Sequence, residues 1–297
     1  MKPMKKLIFL LFFFCLFISI FSQENQELKK CVAFICIKTA KKDLVPIGTG
    51  FFVGVPDKSD PNKAYVFLVT AKHVVIDTNG KYYKEIYLRL NTKSGVSKEE
   101  LIPMYIDGKP NFVIDSDKSI DIVVIPTLPD PDRFDFKFIP ENMIATKDIV
   151  ASENIREGDD VFFTGLFVNY YGRNKNYPIF RFGKVALLTD ERIYFDKTLS
   201  YLYLLETTSF GGNSGSPVFF KLNPTRNPNN LIIGPQKYFL AGIMKGYFGA
   251  EFDTCEVNIK KTIKIPFQNT GIAAVTPAYQ LKELLDSKSI MKMKKTK

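Results

Sequence analysis

The chain has 297 residues, 45% of them hydrophobic and 24% charged, with a formal net charge of +10. This is the composition of a packed globular protein, not a disordered or fibrous one, and the length allows one large domain or two small ones. Lys2, Lys5 and Lys6 open the chain and Lys288, Lys292, Lys294, Lys295 and Lys297 close it; with these eight removed from 41, 33 basic residues face 31 acidic ones. Nucleic-acid binders concentrate charge on a working face, so a near-neutral body argues against a nucleic-acid partner. The lysine tail over 288–297 reads as a solvated, frayed end.

The basic start, the apolar run of 15 from Leu7 to Phe21 and the polar Ser22-Gln23 read as a secretory signal peptide over 1–22. The run is short for a membrane span, which needs about 20 residues. An uncleaved anchor is the alternative, because Phe21 disturbs the small-residue cleavage site. The expected location is therefore secreted or periplasmic, or else membrane-anchored, with no stable membrane contact if the signal is cleaved. Cys31, Cys36 and Cys255 remain after the signal. Export permits a disulfide, and an odd count leaves at least one thiol out. With no CxxC pair and a single His, a His/Cys metal site is not expected, nor is a cofactor.

Strands and turns follow. Val32 to Lys38 is a first strand, Pro46-Ile47-Gly48-Thr49-Gly50 a turn, and Phe51 to Val55 a second strand. Pro56 to Lys63 is a loop rich in Pro, Asp, Asn and Ser. Ala64 to Thr70 is a third strand, dense in aromatic and β-branched residues. More are expected at Glu85–Leu90, near Pro103–Ile106 and at Ile120–Ile125, which Pro126 closes. Residues 126–156, with four prolines, read as a connection. Strands resume at Asp160–Thr164, Ile179–Leu188, Tyr201–Leu205, Val218–Lys221, Tyr238–Lys245 and Gly271–Val275. Leu222 to Gln236 reads as an exposed loop. Thr276 as N-cap and Pro277 at the first helical position open a closing helix with Leu281, Leu284 and Leu285 on one face. Many short strands of this kind suggest β-barrels or a sandwich.

Few polar residues sit where chemistry could be done. His73 is the only His, and a strand end leads into it. Asp121 opens a strongly apolar strand, where its carboxylate either ends the strand or accepts a bond from an imidazole. Ser214 lies in Gly211-Gly212-Asn213-Ser214-Gly215-Ser216-Pro217, among letters that also make a plain turn. Glycines there allow backbone N–H groups to converge on one point, as an oxyanion hole requires. Together these residues are a set for acyl transfer: a serine nucleophile, a histidine base and an aspartate that orients the ring.

Thr70-Ala71-Lys72-His73-Val74, Asp121-Ile122-Val123-Val124 and Gly212-Asn213-Ser214-Gly215-Ser216-Pro217 resemble the three catalytic motifs of the chymotrypsin-like (trypsin-fold) serine peptidases, in that family's order. The serine motif is most similar to bacterial members such as the glutamyl endopeptidases. The resemblance implies an all-β protein of two antiparallel six-stranded β-barrels with a short C-terminal helix. Its peptidase domain would span 23–287, with an N-terminal barrel over about 30–126, a connection over about 127–156, a C-terminal barrel over about 157–275 and a terminal helix over about 277–287. It further implies a Ser214-His73-Asp121 triad and an oxyanion hole from the N–H groups of Gly212 and Ser214. Thr208, Ser209, Met244, Lys245 and Gly271 fall where a substrate pocket would be lined.

The implied activity is that of an exported serine endopeptidase acting on protein or peptide substrates as a monomer. The alternatives are a catalytically silent binding protein of the same fold and a membrane-tethered quality-control protease. Asn213 stands where the digestive enzymes carry Asp, so activation by a freed N-terminus is not expected. With no acid at Thr208-Ser209, a basic side chain is not the expected substrate. With no second His at Met244, a Glu preference by the glutamyl-endopeptidase route is excluded. The expected pocket occupant is an uncharged residue, small or medium and apolar. Lys245 stands where many relatives have a Ser that supports the aspartate.

Overall fold

A computed structural model describes residues 26–60, 63–223, 236–250 and 268–295. The expected signal at 1–22, Cys255 and most of the expected 222–236 loop lie outside them. The first β unit is built from β1 (Val32–Lys38), β2 (Leu44–Pro56), β3 (Ala64–Thr70), β4 (Glu85–Asn91), β5 (Ser97–Pro103), the small hairpin β6 (Tyr105–Ile106) and β7 (Lys109–Pro110), β8 (Val113–Ile114), β9 (Val123–Pro126) and β10 (Ile139–Pro140). The second contains β11 (Asp160–Gly165), β12 (Ile179–Leu187), β13 (Arg192–Phe195), β14 (Thr198–Tyr201), β15 (Tyr203–Glu206), β16 (Pro217–Leu222), β17 (Lys237–Ala250) and β18 (Gln268–Pro277). Helices over Ala278–Leu285 and Lys288–Lys295 follow.

Six strands of the second unit close into a barrel in the order β11-β12-β15-β18-β17-β16. Its strands β11 and β16 read as near-continuous apolar runs because both of their faces are buried. Val161, Phe163, Val218 and Phe220 belong to one apolar cluster, while the alternate residues Phe162 and Phe219 belong to another that is shared with the first unit. Phe162 and Phe219 are register partners, and their rings stack 5.2 Å apart. Side chains alternate across a strand, so one barrel wall serves two cores. Leu281, Leu284 and Leu285 of the first closing helix join the shared cluster.

The mostly-β architecture, the closed six-stranded barrel and the short closing helix are the expected ones, with a difference in the first unit. Eight of its ten strands form a sheet ordered β5-β4-β1-β2-β3-β9-β8, with β10 added to β2, and no ladder joins β5 to β8. Between them the chain leaves the sheet for the β6–β7 hairpin. Pro103 and Pro110 flank the departure and carry no N–H for a ladder.

Several local readings change. The expected turn at 46–50 is strand, because β2 runs unbroken from Leu44 to Pro56. A Cβ on Gly48 would come within 2.5 Å of Val74, and one on Gly50 within 2.8 Å of Leu68. These glycines therefore serve close packing, not a turn. The closing helix starts one residue later than expected, with Pro277 at the N-cap and no side-chain capping bond. Thr276 is instead buried in β18. The tail expected to be frayed forms a helix, and Ile290 anchors it with 0% exposure. Cys31 and Cys36 do not bridge each other; both thiols are buried, and burial pushes each up to about 12. No helix among the described residues is long and apolar enough to cross a membrane.

Candidate active site

His73 sits in a single 3-10 turn, Lys72–Val75, directly after β3. The turn is fastened by its buried Val74 and Val75 and by the Lys72 N–H, which donates to the Asp121 carbonyl at 3.3 Å. Asp121 lies just before β9, in extended chain between the buried Ile120 and Ile122. Its carboxylate meets His73 twice: Oδ1 accepts the His73 backbone N–H at 3.0 Å and Oδ2 lies 2.7 Å from ring Nδ1. The Asp121 side chain is 8% exposed and that of His73 48%. The carboxylate is thus enclosed while the imidazole keeps a free face.

Burial works against charge on His73, but the Asp121 carboxylate and its hydrogen bond outweigh it and move the imidazole above its ordinary range. Burial likewise works against ionised Asp121. The His73 ring, Lys245 and the His73 backbone N–H together hold its carboxyl below the usual carboxylate range.

Ser214 reaches this pair through a loop that glycine makes feasible. Gly212 and Gly215 have φ of +90° and +83°, a region that L side chains rarely adopt. A Cβ on Gly215 would lie 2.0 Å from the Thr49 carbonyl and 2.2 Å from Thr70 Oγ1. The loop is thereby pressed onto the strand end that delivers His73. The Ser214 carbonyl accepts from Thr49 N–H at 2.9 Å, and Gly215 N–H donates to the Met244 carbonyl at 2.8 Å. The Ser214 hydroxyl is turned to the Lys245 carbonyl, 3.4 Å away, and makes no hydrogen bond to His73. Among the described residues, the N–H groups of Gly212 and Ser214 have no protein acceptor. Both therefore remain available to an incoming oxygen.

Two residues hold that loop without having stood out in the sequence as anchors. Thr49, buried in β2, donates through Oγ1 to the Gly212 carbonyl at 2.9 Å and accepts the Leu166 N–H there at 3.0 Å. Asn213 is 1% exposed. Its Nδ2 donates to the Leu166 carbonyl at 2.7 Å, and its Oδ1 accepts the Phe210 N–H at 2.8 Å. A neutral amide here needs no cation.

The expected pocket residues divide. Ser209 is buried with a hydroxyl that has no partner among the described residues, and Thr208 is exposed. Asn269, which the sequence did not single out, donates to the Ser209 carbonyl at 2.6 Å and accepts the Gly271 N–H at 2.8 Å. The Gly271 carbonyl accepts the Thr207 N–H at 2.8 Å. A Cβ on Gly271 would meet nothing within 4 Å, so open space borders it. Met244 is fully buried and belongs to the inner barrel cluster. Lys245 turns its ammonium to Ser200 Oγ at 3.1 Å. Ser209 and Gly271 are thus brought together, whereas the Lys245 head group is committed elsewhere.

A cavity of about 840 Å³ lies apart from these residues, lined by Cys36, Arg89, Lys98, Tyr170, Tyr171 and Arg173 among others. Arg89 spends its guanidinium there on Asn176 and on the Gly172 and Arg173 carbonyls. No cluster of metal-ligating side chains occurs among the described residues.

The sequence matches no protein-family model and no curated protein. Among solved structures it is similar to the protease domain of MamO from Magnetospirillum magneticum, in its apo form. That likeness has a TM-score of 0.49 at 14% identity and covers 88% of this chain and 98% of that one.

Proposed function

We propose that the chain is a serine endopeptidase in which Ser214 is the nucleophile, His73 the general base and Asp121 the group that orients and charges the ring. The observation that carries this reading is the buried Asp121 carboxylate bonded to both the backbone and the ring of the only histidine, beside a glycine-shaped serine loop. With Nδ1–H donated to Asp121, the other ring nitrogen is left as acceptor for the serine proton. Ser214 Oγ attacks the peptide carbonyl while His73 takes its proton, and the C–O bond forms as the carbonyl π pair moves to oxygen. The N–H groups of Gly212 and Ser214 receive that oxyanion. The oxyanion pair re-forms the carbonyl as the C–N bond breaks and His73 delivers the proton to the departing amine. Water, its proton taken by His73, then attacks the acyl ester. The C–Oγ bond breaks with that proton returned to Ser214, freeing the acid.

The Ser214 hydroxyl needs a rotamer change to leave the Lys245 carbonyl and meet His73. Catalytic hydrogen bonds commonly tighten only when substrate is bound. The same turn of the hydroxyl is what favours the rival reading, a trypsin-fold protein that binds partners without cutting them. The proposed substrate is a protein or peptide presenting an uncharged side chain to the space beside Ser209 and Gly271. The setting is an exported one, by the leader-like start of the sequence.

The test is digestion of a mixed peptide library by the parent and by Ser214→Ala. The reading predicts new termini from the parent alone. Cleavage that persists undiminished in Ser214→Ala, or its absence in a folded parent, would remove it.

A further inference from the structure

The hairpin β13–β14 lies across the part of β17 that borders Ser214. Its turn residues Asp196 and Lys197 have φ of +45° and +63°, the pattern of a type I′ turn whose twist suits a hairpin. Arg192 Nη2 pairs with Asp117 Oδ2 at 2.8 Å, and Ser200 Oγ donates to the Ser119 carbonyl at 3.1 Å. Both contacts tie the hairpin to the segment that leads into Asp121. Phe195 faces β17: its ring is 5.7 Å from the Lys245 ammonium, and a Cβ on Gly246 would lie 3.1 Å from its edge.

Lys245 is enclosed by this hairpin. Its Nζ donates to Ser200 Oγ at 3.1 Å, so ammonium, Ser200 and the Ser119 carbonyl form a chain that ends two residues before Asp121. Its own carbonyl receives the Ser214 hydroxyl. One residue therefore touches the serine through its main chain, and its side chain reaches, by way of Ser200, the segment that leads into Asp121. No salt bridge holds the ammonium among the described residues, and burial pushes it below the ordinary lysine range. A half-buried cation whose hydrogen-bond partner is a neutral hydroxyl still costs solvation energy, and nearby carboxylates offset part of it. The carboxylates of Asp121 and Asp196 favour the charged ammonium of Lys245 and the ammonium of Lys72 opposes it, the last already donating to the Lys118 and Ile120 carbonyls. At His73 the Asp121 and Asp196 carboxylates favour the protonated ring and the Lys245 ammonium opposes it. Burial first, and the charges of Tyr105 and Asp121 after it, push the Tyr82 phenol up.

We propose that Lys245, held by Ser200 and the β13–β14 hairpin, is a positioning residue that sets the charge balance of the His73–Asp121 pair. Its ammonium stabilises the Asp121 carboxylate and disfavours a proton on His73. The imidazole thus stays free to accept a proton at a lower pH than the pair alone would allow. Asp196, at the hairpin tip, pulls in the opposite direction. The inference rests on the proposed function for its catalytic meaning, but its electrostatics can be read separately, because the chain contains one histidine.

The test is an NMR titration of the His73 imidazole in the full chain, for the parent, Lys245→Met, Ser200→Ala and Asp196→Asn. Thermal melting of each variant establishes that it is folded. Lys245→Met is expected to raise the His73 pKa by about 0.5 unit or more, since a nearby like charge is removed. Ser200→Ala should give a smaller rise, and Asp196→Asn a fall. The acid midpoint of fluorophosphonate labelling at Ser214 should move with each. An unchanged or lowered His73 pKa in Lys245→Met overturns the proposal; if that variant does not fold, an unchanged pKa in both Ser200→Ala and Asp196→Asn does so. The predicted pKa shifts in a parent that takes no fluorophosphonate would uphold the charge balance and remove the peptidase reading instead.

Discussion

Thr49→Val tests whether a single buried hydroxyl holds the serine loop to the first β unit. Thr49 has 0% exposure, and Leu166, one of its partners, is equally buried. Valine keeps the shape of the side chain and removes one O–H donor and one acceptor. The Gly212 carbonyl then loses its bond of 2.9 Å and the Leu166 N–H its bond of 3.0 Å. A buried polar group left without a partner costs about 1–3 kcal/mol, so two such groups cost about 2–6 kcal/mol, with little added for volume. The Thr49 main chain still holds the Ser214 carbonyl, so the loop loosens at Gly212 first.

Urea unfolding followed by circular dichroism reads the stability change. The rate of fluorophosphonate labelling reads the loop, and it should fall at least about tenfold if the Gly212 N–H is misaimed. Thr49→Ser keeps the oxygen and should lose only about 1 kcal/mol, the worth of a buried methyl. A Thr49→Val variant within about 0.5 kcal/mol of the parent, labelling at the parent rate, would refute the role given to this hydroxyl.

Asp121→Asn should leave the fold intact and slow labelling by about 10⁴, because an amide no longer enforces the reactive tautomer; intact-mass kinetics would check this. The pH dependence has a definite sign. Because the folded His73 pKa is raised, its ionised pairing with Asp121 adds stability below the ordinary imidazole value. That contribution is lost as pH rises through the raised value. The lowered Asp121 carboxyl adds stability above the ordinary carboxylate value, lost as pH falls through its folded value. A labelling profile with an acid midpoint below about 6.5, the unperturbed imidazole value, would contradict the first assignment. Gly215→Ala forces a Cβ to within 2.0 Å of the Thr49 carbonyl at a φ of +83°. Strain of about 1–3 kcal/mol from the backbone alone, with the clash added, should lower the melting temperature sharply. Asn213→Asp buries a carboxylate with no cation and removes the donor to Leu166. Burial raises such a pKa, so the stability deficit against the parent should shrink as pH is lowered from neutral toward about 5.

Strands with aromatic and β-branched content were legible in the sequence, as at Ala64–Thr70 and Val32–Lys38, because local composition and burial agree there. β2 was not, because Gly48 and Gly50 look like turn residues until Val74 and Leu68 are known to press against them. β5 was not, because Ser97–Pro103 is a largely exposed strand and its Lys98, Glu99 and Glu100 carry no apolar alternation. The hairpin at Arg192–Tyr201 was not legible either: Ile193, Phe195 and Leu199 give it strand letters, but its Asp196-Lys197 turn carries no glycine to announce it. The three residues of the candidate site were legible because His73 is unique and the glycines around Ser214 are dense. Their anchors were not. Thr49 is one threonine among many until its contacts across 163 and 117 residues of chain are seen. The side chain of Lys245 was assigned to the pocket because sequence gives the strand position but not its partner, Ser200.

The measurement that bears most directly on the function proposed for this chain is reaction with a fluorophosphonate, read by intact mass and by mapping of the modified peptide. The account predicts one adduct per chain, on Ser214, absent from Ser214→Ala and strongly slowed in Asp121→Asn. A folded parent that takes no adduct, or takes one on another residue, would contradict it.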